Sequence, residues 1–210
     1  MEKTNVKYNA YIKILEEELR PAMGCTEPIA LAYAAAVARK VLGELPDKVV
    51  IGASGSIIKN VKSVIVPNTD HLKGIPAAAA AGIVAGDPDK ELEVIASVEK
   101  EAITEMKEFL EKTPISVEHV DNGFTFEIVV TLYKGEAWSR VRIVNFHTNI
   151  VLIEKNGEIL KDLGLHQYCG CGGLKACAGS PDPLQHGHCR RGLKGQLRRK
   201  HRICAFSHER

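Results

Sequence analysis

The sequence predicts an α+β fold: helices first, then a mixed sheet with an antiparallel meander, then an irregular basic tail. Three observations carry this. Helical faces and Ala-rich stretches recur up to Leu110, the apolar period becomes two after Phe124, and the composition changes abruptly near Leu165.

The first element follows from Tyr8, Tyr11, Ile12, Leu15 and Leu19, which lie along one helical face that ends before Pro21. Residues 21–25 read as a loop. Thr26 is a suitable N-cap, Glu27 and Pro28 suit a first turn, and residues 29–42 form an Ala-rich helix closed by Gly43. Two strands are expected next, over 48–53 and 62–67, and then a short Ala-rich helix over 74–85 with Pro76 in its first turn. Ser97 would cap a helix whose face is Val98, Ala102, Met106, Phe109 and Leu110, stopped at Thr113-Pro114. From Phe124 to Leu132 apolar and polar residues alternate. Lys134-Gly135 turns the chain into a strand over 138–146, and a third strand over 150–155 meets the hairpin signal Asn156-Gly157.

With 45% hydrophobic and 26% charged residues in 210, the composition is that of a folded globular chain. The first residues lack an apolar stretch fit for a secretory signal, and residues 29–42 fall short of the roughly 20 needed to span a bilayer. A cytoplasmic location is therefore expected, with no membrane partner. Thiols stay reduced there, so the 6 cysteines read as ligands, reactive groups or accidents before they read as disulfides.

The formal charge of +2 conceals a division. Residues 1–165 hold 19 Lys and Arg against 24 Asp and Glu, whereas residues 166–210 hold 9 against 2. Five of the 6 cysteines and 5 of the 8 histidines also lie in that last stretch. The expected organisation is thus a body over 1–165 and an aberrant, disordered tail over 166–210. Cys169, Cys171, Cys177, Cys189, Cys204, His186 and His188 lack the paired spacing of structural zinc sites, and the tail is almost without aromatics, which argues against a zinc module or a nucleic-acid partner. Read one base forward, with permitted codons, residues 186–202 become an acidic helix followed by a glycine-containing loop, so the tail is expected to be a frameshift product.

Cys25 is the strongest chemical candidate in the body. It directly precedes the N-cap of an Ala-rich helix, where the positive helix end would favour a thiolate fit for metal ligation or nucleophilic attack. The competing reading is a buried small hydrophobe. Ser54, Gly55 and Ser56, with Lys59 and Asn60 close behind, gather hydroxyls, backbone N–H groups, an ammonium and an amide near a strand end, a set able to hold a carboxylate or to be a solvated loop. Glu27 and His71 are equally open between capping or surface roles and chemistry.

Three stretches in register carry a resemblance. LRPAMGCTEPIALAYAAA at 19–36, SGSIIKNVKSVIVPNT at 54–69 and LKGIPAAAAAGIVAGDPDKELEVI at 72–95 resemble the L-cysteine desulfidase family of serine dehydratase-like, iron–sulfur proteins, over residues 5 to about 163. The resemblance implies breakdown of L-cysteine, or of L-serine, without pyridoxal phosphate, at a [4Fe-4S] cluster with Cys25 as one ligand. It implies Glu27 and Lys59 as catalytic residues, Glu27 and Thr26 as cluster surroundings, and Ser54, Gly55, Lys59 and Asn60 as substrate-binding residues. The family's C-terminal half, with its other cysteine ligands, has no counterpart in this sequence. The chain alone is then expected to be inactive and not to assemble the cluster. The alternative expectation is a non-catalytic small-ligand or interaction module with a basic tail. Either reading is compatible with a homo-oligomer.

Overall fold

The computed structural model describes residues 6–19 and 21–164. The tail expected over 166–210, with its cysteines and histidines, lies outside them. The described body is α+β. In chain order it runs α1 (Val6–Glu18), α2 (Thr26–Leu42), β1 (Lys48–Ala53), α3 (Gly55–Val61), α4 (Gly74–Ala85), a 3-10 turn (Pro88–Glu93), α5 (Lys100–Lys112), β2 (Ile115–His119), β3 (Glu127–Lys134), β4 (Ala137–Val144), β5 (Ile150–Lys155) and β6 (Glu158–Asp162).

The six strands form one sheet in the order β2-β1-β3-β4-β5-β6. β1 pairs with β2 in parallel, and every other pairing is antiparallel, so the meander expected from the period-two pattern is β3 through β6. On one face Ile128, Val130, Leu132, Val141 and Ile143 are fully buried, and α2 packs against β3 and β4. Ser139 Oγ ties the two layers by donating to the Ala38 carbonyl at 2.8 Å. The other face carries Trp138, Arg140 and Arg142, with Arg140 over the Trp138 ring and Arg142 over Phe124.

Helix α2 is buried from Pro28 to Ala36 because alanines let a second helix come close. That helix is α4, buried over Ala77–Gly82 and packed on α2, with α5 outside it. The approach is tightest at Gly82, where a Cβ would sit 2.0 Å from the Ala32 carbonyl oxygen. Helix α2 ends as its sequence suggests, with Gly43 at φ 98° in the left-handed region and its N–H on the Arg39 carbonyl.

Three local expectations need correction. Residues 62–67 form no strand: Ile57, Ile58 and Val61 are the apolar side of α3, which turns at Lys62, and Ile65 makes only a single bridge to Lys73. The Ser54 turn is therefore the start of a helix. Thr26 is already helical, which makes Cys25 the N-cap, and its side chain makes no capping hydrogen bond. The helix expected from Ser97 begins at Lys100 with Glu99 as its cap. No helix among the described residues is long and apolar enough to cross a membrane.

Candidate functional site

The C-terminal end of β1, the start of β3 and the end of β4 meet at one end of the sheet. Ser54 N–H donates to the Glu127 carbonyl at 3.0 Å, and Glu127 faces Val144 in register. The N-terminus of α2 and helix α3 stand at the centre built there.

Cys25 is exposed, and its Sγ donates to Glu27 Oε2 at 3.0 Å. The other oxygen of Glu27 accepts from Asn60 Nδ2 on α3 at 3.4 Å, and Thr26 Oγ1 lies 3.5 Å from Oε2. The thiol is thus the proton donor of a Cys25–Glu27–Asn60 chain. Burial pushes its pKa above the ordinary thiol value, and the Glu27 carboxylate that accepts its proton adds to the rise. The sequence argument that the helix end would favour thiolate is corrected here, because desolvation and an adjacent negative charge outweigh the backbone N–H contribution at this cap. Glu27 moves the opposite way: the hydrogen bond from Cys25 is the largest cause holding its carboxyl below the usual range, with Asn60 and His147 acting in the same direction.

His147, in the turn after β4, is the group that sequence reasoning missed. Its ring meets Phe126 edge-on with centroids 4.6 Å apart, and its Nε2 is buried with no hydrogen-bond partner among the described residues. Burial holds its pKa below the ordinary imidazole value, while the charge of Glu27 pulls it back up. No local pattern in Asn-Phe-His-Thr-Asn marks it, and only the return of β4 to this end of the sheet brings it near Glu27. Behind Cys25, Gly24 at φ 92° presses on Pro67, where a Cβ would meet the ring at 3.2 Å. The turn after Pro67 holds Asn68, Asp70 and His71 in the left-handed region, at φ 57°, 54° and 64°. Asn, Asp and His are the side chains that tolerate that region best, so this tight turn follows Pro67 at modest cost. His71 lies in that turn.

The other expected residues divide. Asn60 joins the centre. Ser54 is buried and its hydroxyl is engaged, donating to the Thr125 carbonyl at 2.8 Å and accepting from Glu127 N–H at 3.3 Å, so it clamps β1 to β3. Gly55 faces His119, and with Ser54, Ser56, Asp121, Phe124 and Thr125 it lines a polar concavity of about 310 Å³. Lys59 is exposed and makes no hydrogen bond or ion pair among the described residues. Beneath this loop the fully buried Glu127 accepts from Arg142 Nε at 2.8 Å and from Asn122 Nδ2 at 3.0 Å, which ties the 120–126 loop to the sheet.

No family profile matches the chain, and no solved structure matches it. Relatives do. The chain is 54% identical over 164 residues to a UPF0597 protein of Desulfitobacterium hafniense, covering 78% of this chain and 38% of that one. It is 42% identical over 180 residues to a UPF0597 protein of Treponema denticola, covering 85% and 42%. A UPF0597 protein of Lachnoclostridium phytofermentans is 47% identical over 152 residues, covering 72% and 36%. The chain spans about two-fifths of the length of these curated relatives. These names correct the resemblance drawn from sequence: the relatives carry the name of an uncharacterised family, and none of the three is named a desulfidase, a serine dehydratase-like protein, an iron–sulfur protein or a lyase. The reason is physical as well as nominal. Two Ala-rich helices packed closely on one another satisfy a packing requirement, so stretches of that kind report the fold before they report a reaction.

Proposed function

We propose, on the geometry of Cys25, Glu27 and Asn60, that this body supplies part of a centre that breaks L-cysteine into sulfide, ammonia and pyruvate, with L-serine as the competing substrate. The observation that carries the reading is the 3.0 Å contact between an exposed thiol and a carboxylate that an amide holds from the other side. Such a carboxylate can take a proton at Sγ or at a bound substrate without rearrangement. Lys59, exposed on the same helix as Asn60, is our proposed partner for the substrate carboxylate. The reaction balances with one water: the Cα proton leaves to a base, the C–S bond breaks to release sulfide, and the resulting enamine tautomerises to an imine that water hydrolyses to ammonia and pyruvate.

A four-iron cluster takes about four thiolates. The described residues supply Cys25 alone, and they include no group of three or more His, Cys, Asp or Glu that could hold a metal ion. This donor set does not fit a cluster, and no step here runs through one. We place the reaction in the cytoplasm, where an exposed Cys25 stays reduced.

A second reading is a module that binds a small polar ligand without turning it over, favoured by the concavity beside Ser56, His119 and Thr125. One assay separates the two. L-cysteine is supplied anaerobically to the full-length Desulfitobacterium hafniense relative, and sulfide and pyruvate are measured. Equimolar release, lost when the counterparts of Cys25 and Glu27 become Ser and Gln, supports the reaction. Binding of L-cysteine with no pyruvate sinks it and leaves the module.

A further inference from the structure

Helix α1 stands apart from the core. Tyr11, Ile12, Ile14 and Leu15 are 37–56% exposed, and Leu19 just beyond it is 69% exposed. No residue of α1 belongs to the buried cluster, and among the described residues no other element packs extensively on it. Tyr11, Ile12, Leu15 and Leu19 lie at helical spacing, so they form a stripe on one side of the helix. A helix of 13 residues is marginal in water when nothing packs on its apolar side, so a stripe left exposed along it calls for a cover. The matched part of the Desulfitobacterium hafniense relative is 38% of its length, which leaves more polypeptide unmatched than matched. In sequence only residues 20–24 separate Leu19 from Cys25, whose thiol is exposed.

We propose that the apolar stripe of α1, continued by Leu19, is the docking face for the polypeptide that the relatives carry outside the matched portion. Docked there, that polypeptide roofs the Cys25–Glu27–Asn60 centre. This deepens the proposed function and rests on it for the claim that the partner completes that site. The exposed stripe is apolar, with one aromatic ring, Tyr11, among aliphatic side chains, which suits a hydrophobic helix or strand face of a permanent partner rather than a charged ligand.

The test co-expresses the 210-residue chain with the unmatched portion of the Desulfitobacterium hafniense relative. Complex mass is measured by light scattering, amide exchange across Val6–Glu18 by mass spectrometry, and pyruvate release from L-cysteine in the same samples. The expected result is a one-to-one complex in which α1 exchange slows by about tenfold or more, and in which Tyr11→Asp with Leu15→Asp weakens association by about tenfold or more. Because α1 lies outside the core, the substituted chain keeps its melting transition, which is checked in parallel. The proposal is overturned if no complex forms, if a complex forms with α1 exchange unchanged, or if the substitutions leave its affinity unmoved. It is equally overturned if the chain alone is a dimer that these substitutions dissociate, since a second copy then owns the face. A complex that forms through α1 and releases no pyruvate leaves the docking intact and removes the proposed reaction.

Discussion

At Cys25 two effects oppose one another, and magnitudes decide the outcome. A thiol at a helix cap gains from the unpaired N–H groups of the first turn, a contribution of about 0.3–1 kcal/mol at an exposed site. Against it stand partial burial and an acceptor carboxylate 3.0 Å away, which together leave the thiol pKa above its ordinary value. Glu27 therefore holds the proton on sulfur until a ligand or an incoming charge removes it. Glu27→Gln deletes the negative charge while keeping a side chain of the same size. The thiol pKa then falls, though not to that of a free thiol, because burial, its largest cause, remains. Alkylation of Cys25 by iodoacetamide at pH 8, followed on its own peptide by mass spectrometry, is expected to quicken by about three- to tenfold in Glu27→Gln, since only the thiolate reacts. Unchanged or slower alkylation would show that Glu27 does not hold that proton.

Among the elements, the pair α2 and α4 is where the sequence is least replaceable. Alanine runs are usually read as helix propensity, but here they set a distance: Gly82 has the Ala32 carbonyl where a Cβ would go, at 2.0 Å, and Gly86 has the Ala36 Cβ at 2.8 Å. Neither contact is with the tip of a flexible side chain, so relief requires the helices to part. Gly82→Ala is expected to destabilise the body by about 2–3 kcal/mol or more, despite the better helix propensity of alanine, as overpacking in a dense core does. Urea unfolding followed by circular dichroism measures it, and a gain in stability would contradict the packing described. The same elements show what was legible in advance. Helices α2 and α4, strand β5 and the Asn156-Gly157 hairpin follow from local signals that packing reinforces. The run Lys62 to Pro67 looks like a strand because it is rich in β-branched residues, yet Ile57, Ile58 and Val61 pack at helical spacing first and α3 runs up to its edge. Strand β2 was not legible: its parallel partner β1 lies far back in the chain, and its burial is slight. Of the site, Cys25 and Glu27 are two residues apart and could be read locally, and Asn60 was singled out with the Ser54 turn although the helix that carries it was not. His147 and His119 arrive only through the closing of the sheet.

For the whole molecule, the groups whose pKa is lowered all cost stability as acid is added, while the raised groups Cys25, Tyr33, Lys112 and Lys134 act in the opposite sense, in the alkaline range. His147 has a folded pKa below the ordinary imidazole value, so as pH falls the unfolded chain takes up its proton first and stability declines. Glu27 is likewise depressed, so its contribution is full above the ordinary carboxylate range and is lost as pH falls through its folded value. Asp47, Asp70 and Glu108 are depressed too, by Lys134, Lys107 and Lys112, but these pairs are exposed and salt screens them. The two half-buried groups separate by pH, since an imidazole titrates near 6.5 and a carboxylate near 4. In about 0.5 M salt, where the Debye length shrinks to a few ångströms and the surface pairs fade, the melting midpoint is expected to fall in two stages on acidification. The first stage, below about pH 7, belongs to His147, because the unfolded chain takes up its imidazole proton first, and His147→Gln removes it. The second, below about pH 4.5, belongs to Glu27, and Glu27→Gln reduces it. A midpoint that stays level from neutrality down to the carboxylate range in the unsubstituted chain would mean that His147 is not held neutral beside Glu27, and with it would go the view that the end of the sheet gathers thiol, carboxylate and imidazole into one centre.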